Sequence, residues 1–103
     1  MIINEDIRKP LTASSGAASV AITDQKNKTI KNIYINPATA STTYDFSITD
    51  KNSEVIYQDT GLAGKYSIDT KLYLYGDITI ALANASADEA FVIILTAAEG
   101  VNN

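Results

Sequence analysis

The 103-residue sequence contains no cysteine, no histidine and no tryptophan. Without cysteine there can be no disulfide, no thiolate metal ligand and no thiol nucleophile. Without histidine the commonest general base and the commonest metal ligand are also missing. No apolar run approaches the roughly 20 residues that a membrane-spanning helix needs. We therefore expect no cysteine or histidine chemistry and no membrane partner.

The composition predicts a single globular domain. Apolar residues make up 46% of the chain. A chain of this length buries roughly 65% of its unfolded surface when it folds, which is enough for folding without disulfides. The formal net charge of −4 disfavours nucleic acid as a partner, because phosphates attract clusters of lysine and arginine. The first ten residues lack the apolar stretch of a secretory signal. We therefore expect a protein made and used in soluble form, inside a cell or in something assembled there, with no nucleic-acid partner.

The middle of the chain carries its most regular pattern, and this pattern predicts a β-hairpin. Tyr44, Phe46 and Ile48 alternate with polar residues, as in a strand with one buried and one exposed face. Residues 50–53 are turn formers, since aspartate caps backbone N–H groups and asparagine tolerates positive φ. The apolar run 55–57 predicts the returning strand.

Short apolar or alternating segments recur along the rest of the chain, with turn residues between them. The run 91–95 is apolar at every position, which is typical of a strand in the middle of a sheet with both faces covered. This pattern predicts an all-β protein, an antiparallel β-sandwich of about seven or eight strands, with a jelly roll and an immunoglobulin-like Greek key both open. Besides the hairpin, the predicted strands are 18–23, 28–36, 66–70, 71–75, 78–83 and 91–95.

Both ends of the chain are predicted to lie outside this regular pattern. Residues 1–16 contain three isoleucines, then Pro10 and a stretch of small polar residues. They are expected to form either a short edge strand at 2–7 or an arm that packs on a neighbouring molecule. The remaining assignments are the sandwich domain at 17–97, a glycine-containing loop at 60–65 and a C-terminal tail at 98–103.

The acidic residues form no recognisable catalytic pattern. Most of the twelve acids fall in predicted turns or on exposed strand faces, whereas general acid–base chemistry needs two of them at a set separation. The turn at 50–54 has oxygen ligands at alternate positions but lacks the length, glycine and flanking helices of an EF-hand loop. The five glycines form no phosphate-binding motif. We expect no enzyme, no cofactor and no metal, and a turn-capping role for Asp50.

Tyrosine is the abundant aromatic residue, with six copies against two of phenylalanine. Tyr73 and Tyr75 alternate with Leu72 and Leu74, so this strand is apolar on both sides and one side must point outward. Exposed apolar patches mark partner sites, and tyrosine is enriched at interfaces. The alternative is that a loop or the N-terminal arm of the same chain covers these rings. The predicted partner-binding residues are Ile2, Ile3, Ile7, Tyr34, Tyr73 and Tyr75.

Four segments, Lys28–Pro37, Thr43–Asp50, 74–80 and 91–95, provide a strand, an acid-tipped hairpin, a Gly-Asp step and a closing apolar strand. In this order they resemble the small virion proteins that tailed bacteriophages encode near their major capsid genes. The resemblance implies a capsid decoration (cement) protein of the virion, assembled in the host cytoplasm and bound to the major capsid protein or other virion proteins. It also implies a homo-oligomer, with a trimer favoured.

A carbohydrate- or host-surface-binding β-sandwich module of a virion fibre or tail remains the alternative. Tyrosines beside acids can stack on sugar rings and bind their hydroxyls, although such sites usually favour tryptophan, which this sequence lacks. Sedimentation with capsids would favour the decoration protein. Glycan binding that is lost on Tyr73→Ala would favour the module.

Overall fold

The computed structural model describes residues 2–22, 28–74 and 76–100. Within these ranges the chain forms eight β-strands and no helix, and therefore no helix that could cross a membrane. The predicted turn at 24–27 lies outside the described residues. The strands are β1 (Ile2–Ala13), β2 (Ala18–Ile22), β3 (Lys28–Pro37), β4 (Thr43–Asp50), β5 (Val55–Ala63), β6 (Tyr66–Leu74), β7 (Ile78–Ala83) and β8 (Glu89–Gly100).

The strands form two four-stranded antiparallel sheets that pack face to face. One sheet has the order β1-β8-β3-β6 and the other β2-β7-β4-β5. The first strand therefore pairs with the last, the second with the seventh, and so on inward to the β4–β5 hairpin, like one long hairpin that has been rolled up. This nesting is the jelly-roll topology. The predicted all-β sandwich is confirmed, and of the two topologies left open the structure has the jelly roll.

The core lies between the two sheets and is built mainly from alternate residues of each strand. In β3 a register shift between Ile30 and Asn32 breaks the alternation and brings Ile30 into the core with Ile33. β4 buries Tyr44, Phe46 and Ile48, as the alternation in the sequence predicts. From the opposite sheet, β8 turns Phe91 inward, and its ring meets that of Tyr44 edge-on with the centroids 5.1 Å apart. Other large, fully buried side chains are Ile30, Ile33, Ile35, Ile78, Ile80, Leu82 and Ile93.

Several strands are longer than the sequence pattern predicts, because pairing with a neighbour continues the extended backbone beyond the apolar run. β1 runs through Pro10 to Ala13 and pairs with β8 along its whole length. Proline is tolerated there because β1 is an edge strand. β5 continues through Gly61, which has a φ of 65°, so most of the loop predicted at 60–65 belongs to a strand.

β6 and β8 are also longer than the strands predicted from the sequence, because pairing with neighbouring strands extends them. β6 is one continuous strand, whereas the sequence predicts two strands that meet at residue 71. β8 continues to Gly100, so residues 98–100 belong to this strand and not to a C-terminal tail. Pairing with β3 extends β6, and pairing with β1 and β3 extends β8.

Candidate interaction surface

The outer face of the β1-β8-β3-β6 sheet is apolar at its centre. Val92 and Ile94 of β8 alternate with the buried core residues of that strand and therefore point away from the core. The strand register places Tyr34 of β3 beside Ile94, and Pro10 of β1 beside Val92. Val92, Ile94 and Tyr34 are half-buried. We refer to these four residues as the Tyr34 patch.

Hydrogen-bonded polar side chains border the Tyr34 patch on one side. The side-chain amide of Asn32 donates to Ser67 Oγ at 3.2 Å and to Asp69 Oδ1 at 3.0 Å. Thr96 Oγ1 donates to Asp6 Oδ1 at 3.2 Å. Because each bond links neighbouring strands, these polar groups are held in place by the sheet. An apolar centre with a polar rim is typical of protein-binding surfaces.

The outer face of the other sheet has a different character. Its central positions are small or hydroxylated: Ser47 lies opposite Ala81, and Thr49 lies opposite Thr79. The exception is Val55, which is 56% exposed at the edge strand β5. The sandwich therefore has one outer face with a continuous apolar centre and one with a mainly small, polar surface.

Two of the predicted partner-binding tyrosines lie on the same outer face as the patch. Tyr34 is part of the patch itself. Tyr73 lies near the end of β6, opposite Thr29, and is 57% exposed. The row that contains Asn32 and Asp69 separates it from Tyr34, so the two rings share a face without forming one patch. The predicted residue Tyr75 lies outside the described residues.

The three predicted isoleucines belong to strand β1. The backbones of Ile2 and Ile3 pair with the last residues of β8. Ile7 packs against the core of its own chain. Of the two alternatives left open for this segment, an edge strand or an arm on a neighbouring molecule, the described residues form an edge strand.

Val92 and Ile94 were not among the predicted binding residues, although the sequence contained a signal for them. Their run is apolar on both faces, and the prediction placed it in the middle of a covered sheet. β8 does lie in the middle, between β1 and β3. Its outer residues are only half-buried, and Tyr34 lies on the neighbouring strand. The run that is apolar on both faces is the signal in the sequence, whereas its position beside Tyr34 follows only from the strand order.

Two carboxylates with lowered pKa values bind parts of the chain that lie away from the Tyr34 patch. Asp45 accepts a hydrogen bond from the backbone N–H of Gly61 at 2.9 Å and another from the side-chain amide of Asn84, and these bonds lower the pKa of Asp45. Glu89, which is buried, accepts a bond from the backbone N–H of Thr39, and this bond lowers the pKa of Glu89. Both carboxylates therefore stabilise the folded chain in their ionised form.

Hydrogen bonds of tyrosine hydroxyls link β5 of one sheet to β6 of the other. The hydroxyl of Tyr66 donates to Asp59 Oδ2 at 2.7 Å. Because a hydroxyl has one proton to donate, Tyr57 is the donor in its 2.9 Å bond to the Tyr66 oxygen. Burial, followed by the bonds to Tyr57 and Asp59, raises the pKa of Tyr66 above its usual value. These bonds connect the two sheets at this lateral edge.

No group of three or more potential metal ligands occurs among the described residues. The turn that resembles a calcium loop is organised by its own aspartate. Asp50 Oδ1 accepts the backbone N–H groups of Asn52 at 2.8 Å and Glu54 at 3.0 Å. The turn-capping role predicted for Asp50 is confirmed.

The fold and surface define a jelly-roll β-sandwich with one apolar outer face. No family model matches the chain, and no curated protein matches its sequence. Among solved structures, the periplasmic inhibitor of g-type lysozyme PliG from Aeromonas hydrophila is 10% identical over 90% of this chain and 85% of that chain, with a TM-score of 0.48. The structure of infectious bursal disease virus, Gx strain, is 8% identical over 95% of this chain and 31% of that chain, with a TM-score of 0.48.

A third similar structure is the carbohydrate-binding module CBM36 in complex with calcium and xylotriose. It is 14% identical over 87% of this chain and 76% of that chain, with a TM-score of 0.41. These similarities concern the general sandwich fold and assign the chain to no family.

Proposed function

We propose that this protein is a non-enzymatic structural component of a virion, a bacteriophage capsid decoration protein that binds the major capsid protein through the Tyr34 patch. The observation that carries the proposal is the patch itself. It combines an outward-pointing tyrosine with aliphatic neighbours and a rim of hydrogen-bonded polar groups. Tyrosine is among the residue types that dominate binding energy at protein interfaces.

The patch is held in its binding geometry before any partner arrives. Ile94 and Val92 lie on the central strand β8, whose backbone is paired on both sides by β1 and β3. Tyr34 lies on β3, which is also paired on both sides. A surface of this kind loses little conformational entropy on binding, so more of the contact energy contributes to affinity.

The jelly-roll fold is shared with proteins of known functional classes. Eight-stranded jelly rolls occur in viral capsid proteins and in lectins. A fold alone does not determine a function, because unrelated functions occur on the same fold. The resemblance of four segments to phage virion proteins favours the viral class, and three of those segments form β3, β4 and part of β8.

The proposed role is physical and needs no reaction. A protein that binds the assembled lattice and not the free capsid subunit stabilises the shell by mass action, by about 2.7 kcal/mol per site at a hundredfold excess over Kd. Binding that bridges several subunits adds avidity. The capsid therefore becomes harder to disassemble without any covalent change.

Cosedimentation tests the proposal directly. The purified protein is mixed with shells assembled from the major capsid protein of the same genome, and binding is measured in the pellet. Ile94→Lys places a charge at the centre of the patch and should weaken binding at least about tenfold, because the lysine would have to be desolvated in the contact. An unaltered protein that stays in the supernatant at every shell concentration would refute the proposal.

The matched control changes the opposite face of the sandwich. Ser47 is half-buried on the outer side of a central strand, β4, as Ile94 is on β8. Ser47→Lys introduces the same charge and should leave binding unchanged. Thermal melts of both variants establish that they fold. Equal loss of binding in the two variants would mean that the Tyr34 patch is not the contact.

A carbohydrate-binding function is the second candidate, and one observation favours it. Asn32, Tyr34 and Asn36 alternate along the outer side of β3, so an aromatic ring lies between two amides. The N–H groups of Asn32 donate to Ser67 and Asp69, which leaves its oxygen to accept from a sugar hydroxyl. A glycan array would detect this function. Tyr34→Ala should then abolish the signal, whereas a blank array together with capsid binding would favour the decoration protein.

A further inference from the structure

β6 leaves one backbone edge of its sheet unpaired within the described part of the chain. It pairs with β3 on one side and ends the order β1-β8-β3-β6. From Tyr66 to Tyr73 its residues alternate strictly between half-buried and exposed. The strand contains neither proline nor glycine. Its pairing with β3 has one register shift, between Asp69 and Leu72, and the alternation continues through it. An edge of nine residues with this alternation can accept a further antiparallel strand through backbone hydrogen bonds.

The other three edge strands carry features that discourage such pairing. β1 contains Pro10, which has no N–H group, and its Lys9 shares a face with buried Ile93. β2 has only five residues. β5 has two irregularities in its register with β4, and its Gly61 is in the left-handed region. β6 has one such register shift, but it is not short and contains no proline or glycine, so it is the edge best suited to accept another strand.

The sequence of β6 is complementary to itself about its central residue, Thr70. When two copies are aligned antiparallel with Thr70 opposite Thr70, each Asp69 lies opposite a Lys71 of the other copy. Both residues are exposed, so two pairs of opposite charge form across the join, an arrangement that stabilises antiparallel strands. On the core side, Ile68 lies opposite Leu72 in both halves.

We propose that two copies of this chain associate through β6, antiparallel and centred on Thr70, to form a continuous eight-stranded sheet. The alignment keeps exposed residues opposite exposed ones and half-buried residues opposite half-buried ones. Moving the centre to Asp69 would place two Asp69 carboxylates opposite each other. Moving it to Lys71 would oppose two lysines. The charges therefore select one register.

The association has twofold symmetry and closes with two copies. It departs from the trimer that the resemblance to phage proteins implies. Across the join, Tyr73 of each copy lies opposite Ser67 of the other. The outer faces of the two sheets become one surface that carries both Tyr34 patches.

The mass of the purified protein in solution is the first measurement. Size-exclusion chromatography with light scattering should give twice the 11.0 kDa mass of one chain. Asp69→Lys and Lys71→Asp each replace both attractive pairs by repulsive ones. Each variant should raise the dissociation constant of the dimer at least about tenfold, since two cross-strand pairs change sign.

Mixing the two variants provides the decisive test. A chain with Asp69→Lys and a chain with Lys71→Asp carry opposite charges at both positions, so an equimolar mixture should form a heterodimer although each variant alone is monomeric. The double variant Asp69→Lys/Lys71→Asp should dimerise again by itself. Restored dimers also establish that the variant chains fold, even though Asp69→Lys removes a hydrogen bond from Asn32.

The controls reverse charges in the exposed β4–β5 turn. Glu54→Lys matches the charge change of Asp69→Lys, and Lys51→Asp matches that of Lys71→Asp; both should leave the dimer intact. Hydrogen exchange should slow in alternate amides of β6 as protein concentration rises. A monomer at all concentrations, a trimer, or a dimer that is indifferent to both charge reversals would overturn the proposal. None of these measurements involves a capsid, so the outcome is separate from that of the proposed function.

Discussion

The carboxylate of Glu89 accepts a hydrogen bond from the backbone N–H of Thr39 at 2.6 Å, across 50 residues of sequence. Glu89 begins β8 and is 8% exposed, and Thr39 lies in the connection between β3 and β4. A backbone bond from Ala38 N–H to the carbonyl of Ala90, at 2.8 Å, joins the same two segments. The bond from Thr39 lowers the pKa of Glu89, although burial acts in the opposite direction.

Acid should therefore destabilise the protein through Glu89. Because the pKa of this group is lower in the folded state, the unfolded chain takes up the proton first as the pH falls. The stabilisation present at neutral pH is then lost through the usual carboxylate range and the folded pKa below it. Urea unfolding at a series of pH values should show this decline. Glu89→Gln should be less stable at neutral pH and less sensitive to acid.

The neighbouring Asp88 provides the control. Asp88→Asn removes an exposed acid at the adjacent position, and asparagine tolerates the positive φ of 61° there. Because this variant keeps the bond from Thr39 to Glu89, it should retain the acid sensitivity that Glu89→Gln loses. A Glu89→Gln variant with the same pH dependence as the unaltered protein would contradict the role assigned to the Glu89–Thr39 bond. Asp45, whose pKa is also lowered, accounts for part of the remaining sensitivity.

Tyr44→Phe should destabilise the protein by about 1 kcal/mol, the typical net contribution of a hydrogen bond. The hydroxyl of Tyr44 donates to the carbonyl of Gly64 at 2.7 Å inside the core, and phenylalanine would leave that carbonyl without this donor. Denaturant unfolding measures the difference. The half-buried Tyr34 serves as the control, since Tyr34→Phe should change stability by less than about 0.5 kcal/mol. Equal losses of stability in Tyr44→Phe and Tyr34→Phe would mean that the bond from Tyr44 to Gly64 contributes nothing to stability.

Two glycines with the same backbone conformation should respond differently to alanine. Gly61 and Gly64 have φ values of 65° and 64°. A Cβ on Gly64 would lie 2.6 Å from the carbonyl oxygen of Ala40, whereas a Cβ on Gly61 would have no atom within 4 Å. Gly61→Ala should cost about 1 kcal/mol for the left-handed backbone, and Gly64→Ala should cost more because the Ala40 segment must also move.

The midpoint of urea unfolding measures both glycine variants. The difference between them isolates the contact with Ala40, because the backbone contribution is shared. Equal losses of stability would show that the segment around Ala40 moves aside without cost.

Asp50→Ala should destabilise the β4–β5 turn by about 1 kcal/mol, as expected for the loss of a capping side chain. The variant removes the acceptor for the N–H groups of Asn52 and Glu54. Asp50→Asn keeps an oxygen at the same position and should retain most of the stability. Calorimetric melting of the two variants tests the prediction, and an equal loss in both would assign the effect to charge and not to capping.

Strands formed by local alternation could be predicted from the sequence. The bounds of β7 match the prediction, and β4 contains the predicted alternation of Tyr44, Phe46 and Ile48. The lengths of β1 and β8 could not be predicted. Their shared pairing joins Ile2 to Gly100, and no local pattern encodes a contact over that distance. The choice between jelly roll and Greek key depends on such contacts, so it also remained open.

The candidate surface was predicted in part. The prediction included Tyr34 because it alternates with Ile33 and Ile35, and the structure places it on the outer face. Ile94 was missed because its importance depends on the strand beside it. Which residues lie next to an outward-pointing tyrosine is decided by strand order, and strand order follows from packing of the whole chain.

The nested order of the strands affects the rate at which the chain folds. The β4–β5 hairpin closes a short loop, whereas β1 and β8 can meet only after nearly the whole chain has been brought together, and the entropic cost of closure rises with loop length. Chains dominated by such distant contacts fold in milliseconds to seconds. Folding should begin at the central hairpin and end with the terminal strands. Ile48→Val should then slow folding, while Ile93→Val should mainly accelerate unfolding, in stopped-flow kinetics.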